Sequence, residues 1–329
     1  MSGTQDVFQR TLLISLLLLP MLAALTILTQ CRRNQVRLGE RDRVYELQHE
    51  GRERSYILHR PAAAASVDPA NPRPLLIVMH GGGGTARGAI NITRGRFNEL
   101  ADAENFYVVY PTGFDKSWND GRVDLRSTAH REKIDDVGFL KRVIESIAGE
   151  YPIDRARIFS TGISNGGFMS MRLACDLSET VRAVAPVTAQ LSRDLFAMCK
   201  PQRPVGMLLV NGTDDPIVPY DGGTIELFWT ERGEILSTDD TLRFWARRNR
   251  CSAQPVVAEL PDRDPKDETR VDRVRYPNCA TGRDVELLRV RGGGHTWPGG
   301  SPYLSERLVG KVSNDIIACD EIWNFFRDQ

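Results

Sequence analysis

The sequence predicts an α/β fold: a mostly parallel central sheet, opened by an antiparallel hairpin and covered by helices on both faces. Three observations carry this. Short continuous apolar runs recur at residues 75–79, 106–110, 183–187 and 207–210. Runs of that length, without polar alternation, suit strands buried on both sides. Segments with apolar residues at helical spacing lie between them, the clearest being Val137, Leu140, Val143, Ile144 and Ile147. Ahead of both stand two strand-like runs separated by Glu50-Gly51, a hairpin pattern. A hairpin followed by alternating strands and helices implies right-handed crossovers and a parallel sheet.

In chain order, residues 44–48 and 54–59 form the hairpin, and the Ala/Pro-rich residues 61–74 a surface loop. Strands follow at 75–79 and 106–110, then a helix with Asp135 or Asp136 as N-cap. Residues 157–160 are a strand leading into a helix at 168–175. After the strands at 183–187 and 207–210, Thr238 is expected to cap a helix through Asn249. Residues 285–290 form a late strand, and Asn314 opens a closing helix that runs to Arg327. Residues 111–133 and 215–236 show little periodicity, and each leaves a strand end, where ligands of such sheets bind. No linker divides residues 44–329, which are expected to form one domain after a tether at 31–43.

The chain has 329 residues, with Lys+Arg and Asp+Glu both at 43, so its formal net charge is zero. No basic block interleaves with aromatics, which argues against nucleic acid as a partner. Residues 11–29 are apolar, with Arg10 before and Arg32, Arg33 and Arg37 after. This reads as an export segment over residues 1–30, either a signal peptide or a membrane anchor. Leu28-Thr29-Gln30-Cys31 is like a bacterial lipoprotein box, except that Gln30 stands where a small residue is expected. The six cysteines contain no C-x-x-C pair, so they offer no zinc or thioredoxin-like motif. Cys175 with Cys199, and Cys251 with Cys279, bracket two local segments, and two local disulfides suit an oxidising compartment. Cys319 shares a helical face with Ile316, Trp323 and Phe326 and reads as a small buried hydrophobe.

The chemistry gathers at Gly162-Ile163-Ser164-Asn165-Gly166-Gly167. Strand, G-x-S-x-G, helix is the context of a nucleophile elbow. Glycines flank the serine because a sharp strand-to-helix turn brings neighbouring backbone too close for a Cβ. The alternative is a glycine-rich turn with an incidental serine. A serine hydroxyl needs a base, and of the five histidines only His295 follows Ser164. It lies in a glycine-rich loop just after the late strand. The acid that orients such a histidine can come from Asp214-Asp215, where the chain leaves strand 207–210; the residues alone do not choose between the two. Backbone donors for a developing oxyanion are expected from Asn165 and from Gly81 and Gly82, in the His80-Gly81-Gly82-Gly83-Gly84 loop after strand 75–79. His80 is expected to order that loop rather than act as a base.

Taken in order, His80-Gly81, Ser117-Trp118-Asn119, Asp135-Asp136-Val137-Gly138-Phe139, the Ser164 elbow, Gly212-Thr213-Asp214-Asp215-Pro216-Ile217-Val218-Pro219-Tyr220 and Gly292-Gly293-Gly294-His295-Thr296-Trp297-Pro298-Gly299 resemble the secreted polyhydroxybutyrate depolymerase and feruloyl esterase group of α/β hydrolases. The resemblance implies an α/β-hydrolase fold and a serine esterase without cofactor or metal. It also implies Asp215 rather than Asp214 as the acid, and a Cys251–Cys279 disulfide. Trp118 follows strand 106–110 and Trp297 follows His295 by two residues, so both are expected at the mouth of the site. There an indole could stack on a sugar or aromatic ring, with Asn119 adding a polar contact. The expected substrate is a short-acyl, hydroxycinnamoyl or hydroxyalkanoate ester. A peptidase, an acyltransferase and a non-catalytic binding protein of the same fold are the alternatives.

Overall fold

A computed structural model describes residues 36–62, 70–227 and 230–329. The apolar run at 11–29 and Cys31 lie outside the described residues. Among those described, no helix is long and apolar enough to cross a membrane. Leu38 to Gln329 make up one compact unit.

The opening hairpin joins β1 (Asp42–His49) to β2 (Arg52–His59) in antiparallel register, His49 opposite Arg52. Its two-residue turn puts Glu50 at φ 48° and Gly51 at φ 72°, the backbone that matches strand twist in tight hairpins. The remaining strands are β3 (Arg73–Met79), β4 (Tyr107–Pro111), β5 (Ile153–Ile163), β6 (Ala183–Val187), β7 (Gly206–Gly212), β8 (Gly223–Leu227), β9 (Thr230–Ile235), β10 (Val256–Glu259), β11 (Arg270–Tyr276) and β12 (Val285–Arg291). Of the twelve strands among the described residues, ten form one sheet in the order β1-β2-β4-β3-β5-β6-β7-β12-β11-β10. The six from β4 to β12 run parallel. This agrees with the mostly parallel sheet expected from the apolar runs.

The helices are α1 (Ala86–Ile92), α2 (Arg96–Glu104), α3 (Thr128–Arg131), α4 (Asp136–Glu150), α5 (Asn165–Asp176), α6 (Arg193–Met198), α7 (Thr238–Arg248), α8 (Glu306–Val309) and α9 (Ala318–Arg327). Both sheet faces are covered, as the alternation of β5 shows. Ile158 joins a core with Phe139 and Ile144 of α4, Met171 of α5 and Trp245 of α7. Its neighbour Phe159 turns the other way and stacks on Phe326 of α9, with ring centroids 4.8 Å apart. The Cys175–Cys199 and Cys251–Cys279 disulfides are both formed, and Cys319 is free and buried.

Four features differ from expectation. The sheet has a second antiparallel flank, β11 and β10, at its far edge. β11 reads Arg-Val-Asp-Arg-Val-Arg-Tyr, and its charges pair with neighbours, Asp272 with Arg289 and Arg275 with Asp284. Its buried apolar residues, Val271, Val274 and Tyr276, are separated by charges, so no apolar run is left to read. Residues 215–236 hold the separate β8–β9 hairpin rather than irregular chain. Ser237, not Thr238, caps α7, accepting from the Asp240 amide at 3.0 Å. The Thr238 hydroxyl faces inward and accepts from Gln190 and Asn211. The closing helix starts at Ala318, later than Asn314, because the Asp315 carboxylate is engaged by the amides of Arg263 and Asp264. Of the two candidate caps of α4, Asp135 serves, accepting from the Gly138 amide at 2.9 Å.

Candidate active site

Three parallel strands end at the same edge of the sheet, and each delivers one candidate residue. β5 ends at Ile163, and Ser164 turns the chain into α5 with φ 54° and ψ −123°. That backbone is strained for a residue with a Cβ, at roughly 1–3 kcal/mol, and its surroundings impose it. The Ser164 amide donates to Val187 O at 2.9 Å and to Thr188 Oγ1 at 3.2 Å. A Cβ on Gly162 would lie 2.6 Å from the Gly166 carbonyl carbon, and one on Gly166 would lie 2.5 Å from the carbonyl oxygens of Met79 and His80. Only glycines allow β3, β5 and α5 to meet this closely.

Asp215 follows β7, and His295 follows β12. His295 Nδ1 and Asp215 Oδ2 are 2.7 Å apart, and both side chains are almost wholly buried. The second carboxylate oxygen of Asp215 accepts from the amides of Ile217 and Val218, each at 2.8 Å. Both carboxylate oxygens of Asp215 are therefore engaged, and the bond to Nδ1 leaves Nε2 as the other ring nitrogen of His295. Asp214 is turned away and exposed, accepting from Thr213 Oγ1 at 2.7 Å. The His295 backbone is clamped as well: its amide donates to Val309 O, and Tyr303 Oη donates to its carbonyl oxygen at 2.7 Å.

Ser164, His295, Asn165, Gly81 and Gly82 all line one cavity of about 670 Å³. A Cβ on Gly81 would sit 3.5 Å from Ser164 Cβ, and one on Gly82 would sit 3.9 Å from Asn165 Cβ, so the glycine loop lies directly against the serine turn. Among the described residues, the Gly82 and Asn165 amides have no protein acceptor. His80 orders the loop, as expected: Nδ1 donates to Gly81 O at 2.7 Å and Nε2 accepts from the Gly113 amide at 2.9 Å. Burial pushes its pKa down to about 4, so it stays neutral.

The tryptophans correct the sequence expectation. Trp118 is fully buried, packing against the His80 ring and donating from Nε1 to His80 O at 2.9 Å. Asn119 is structural too: its amide donates to Asp136 and its side chain to Ile134 O. Trp297 is 2% exposed and sets its ring edge-on to Phe97. The tight turn after His295, in which the Gly300 amide returns to Trp297 O at 2.9 Å, folds this indole inward. None of the three lines the cavity.

Beside Ser117, Ile217 and Val218, its walls include residues that no sequence motif marks. Arg122, Asp124 and Arg126 face the cavity, while Val123 and Leu125 between them are exposed. The signal is an alternation with period two, inverted so that charge points inward. Ile225, Leu227 and Arg232 come from the β8–β9 hairpin, and Tyr303 and Leu304 from the loop before α8. Elsewhere, His49, Glu50 and Asp135 bring ligand-type atoms within 4.8 Å of one another. There His49 Nε2 is already bonded to the Asp135 carbonyl oxygen, and none of the three lines the cavity.

The parallel sheet, the strained serine between strand and helix, and the loops gathered at one sheet edge define an α/β hydrolase. The structure of an acetyl xylan esterase from Aspergillus awamori has the same fold, with a TM-score of 0.56 at 12% identity over 87% of this chain and 100% of that one. No protein-family model matches the chain. "Putative esterase NocK" of Nocardia uniformis subsp. tsuyamanensis is 30% identical over 291 residues, covering 84% of this chain and 79% of that protein. Feruloyl esterase B of Piromyces equi is 31% identical over 164 residues, 49% of this chain and only 29% of that longer protein. The chain belongs to the same family of esterases as the Nocardia protein, on an α/β-hydrolase fold, and by class it is a carboxylic ester hydrolase.

Proposed function

We propose that the chain hydrolyses short-acyl, hydroxycinnamoyl or hydroxyalkanoate esters through Ser164, His295 and Asp215 and a covalent acyl-enzyme. The observation that carries this reading is the buried 2.7 Å bond between His295 and Asp215, in the same cavity as the strained Ser164. His295 Nε2 takes the Ser164 proton as Oγ attacks the ester carbonyl. Asp215 holds Nδ1–H and stabilises the imidazolium that forms. The Asn165 and Gly82 amides, with Gly81 alongside, receive the negative charge on the carbonyl oxygen. The tetrahedral intermediate collapses as the imidazolium protonates the leaving alkoxide, which departs as the alcohol. Water, deprotonated by His295, then attacks the acyl-enzyme, and its collapse frees the acid and returns the proton to Ser164.

The substrate range rests on the relatives named as feruloyl and acetylxylan esterases. Export of the chain by residues 1–30 belongs to the same proposal, supported by the two disulfides. The deciding experiment combines an ester panel with Ser164→Ala. Wild type should cleave aryl acetates, acetylated sugars and feruloyl esters, with rates falling as the acyl chain lengthens. Ser164→Ala should lose several orders of magnitude in kcat, and a phosphonate should label Ser164 alone. Retention of most activity by Ser164→Ala would overturn the assignment.

A further inference from the structure

We propose that Asp120 is a positioning residue for this reaction: its carboxylate braces the Asn165 side chain, and through it the backbone N–H that receives the oxyanion. The inference rests on the reading of Ser164 as nucleophile. Asp120 is 1% exposed and lies in the loop that carries Trp118. It accepts from Asn165 Nδ2 at 2.7 Å, from His130 Nε2 at 2.9 Å, and from the Arg122 amide, Nε and Nη2 at 2.7–3.1 Å. Asn165 has no slack left. Its Oδ1 accepts from the Trp118 amide at 2.8 Å, and Nδ2 also donates to Trp118 O at 2.9 Å. With an N–H facing Oδ1 and two acceptors facing Nδ2, the amide orientation is determined by its partners.

Asn165 is the first residue of α5, directly after the N-cap residue Ser164, and its N–H is one of the first-turn donors with no partner inside the helix. Here the side chain bonds only to a different loop and leaves its own backbone N–H pointing free. Burial works against the charge on Asp120, but the Arg122 guanidinium and His130 outweigh it and hold the carboxyl well below the usual range. An ionised acceptor in a dry surrounding makes a short, stiff bond. Oxyanion donors need that stiffness, because their contribution depends on being preset before charge develops. Arg122, which lines the cavity, is set by the same carboxylate, its guanidinium 4.1 Å above the centre of the buried Phe168 ring.

A merely structural role, neutralising a buried arginine, would lower stability and leave each folded site at full speed. The test therefore counts sites. Asn165→Ala and Asp120→Asn are compared with wild type on an aryl acetate. Active serines are titrated to completion with a phosphonate, melting temperature is recorded, and binding of a boronic acid that mimics the tetrahedral state is measured. The expected result is a fall in kcat per titrated serine of about tenfold to a hundredfold. KM should stay within about threefold, boronate affinity should fall in step, and the double variant should be no worse than the poorer single, as for residues acting through one contact. Asn165→Ala keeps Asp120 paired to Arg122 and His130, so it decides the matter even if Asp120→Asn does not fold. Asn165→Ala at wild-type kcat per titrated serine would overturn the proposal, as would multiplying effects in the double variant. Ser164→Ala run alongside reports separately on the nucleophile: activity surviving there would remove the reading beneath the proposal, not the brace itself.

Discussion

At the scale of single residues, Asp215 and Asp214 are adjacent in sequence and opposite in circumstance. Asp215 is buried with both oxygens taken, one by His295 and one by two amides. Asp214 faces solvent. Asp215→Asn should therefore cost about 10³–10⁴ in kcat, because an amide at that position favours the wrong imidazole tautomer. Asp214→Asn should change kcat little; steady-state kinetics showing the reverse order would move the acid. His80 gives a second expected outcome, in pH. Its pKa falls from 6.5 to about 4 on folding. Between those values the unfolded chain binds more protons than the folded one, so stability is full above pH 6.5 and declines as pH falls towards 4. The loss is on the order of 3 kcal/mol. Denaturant titrations at pH 7 and 4.5 should show this component in wild type and not in His80→Gln. The serine, the histidine and the glycine loop were legible in the chain because each sits in a local pattern with its own steric reason. The cavity walls were not. Arg122 and Arg232 are 110 residues apart, and their meeting, through the Arg122 bond to Arg232 O, depends on tertiary contact alone. The two tryptophans misled because proximity in sequence to a strand end or to His295 says nothing of which way an indole turns. Packing turned both inward.

At the scale of elements, four of the six parallel strands, β3, β4, β6 and β7, announced themselves through continuous apolar runs, while β10, β11 and the β8–β9 hairpin did not. In β11 the buried Val271, Val274 and Tyr276 stand among charged residues, and β10 is an exposed edge, so neither shows a continuous apolar run. The same edge is where the second disulfide acts, joining Cys251, just past the end of α7, to Cys279 between β11 and β12. The first disulfide joins α5, the helix that follows Ser164, to Cys199 at the end of α6. Removing either pair by double substitution to Ala should destabilise the fold by about 2–4 kcal/mol, visible as a lower melting temperature. The Cys175–Cys199 pair restrains the far end of α5, away from the serine turn. Its loss should therefore leave kcat near wild type at low temperature; a large fall in kcat there would mean that the helix position itself depends on the bridge.

At the scale of the molecule, the two disulfides suit the export proposed for this chain. Fractionation of cells making the full chain should find it in an exported or membrane fraction with both disulfides formed, whereas reduced full-length protein in the cytosol would contradict export. The strand order has a further consequence, one of time. The three residues assigned to the chemistry come from β5, β7 and β12, and β12 reaches its place only by pairing Val285 with Met207 across a long intervening stretch. Contacts so distant in sequence form slowly, because the loop must close before the pairing repays it. On refolding from denaturant with disulfides intact, helical signal and Trp245 burial should therefore recover first. Ester cleavage should return last, on the slowest phase, since no earlier species holds His295 against Asp215. Activity that reappeared together with the first helical signal would mean that β12 docks early, in spite of its distance along the chain.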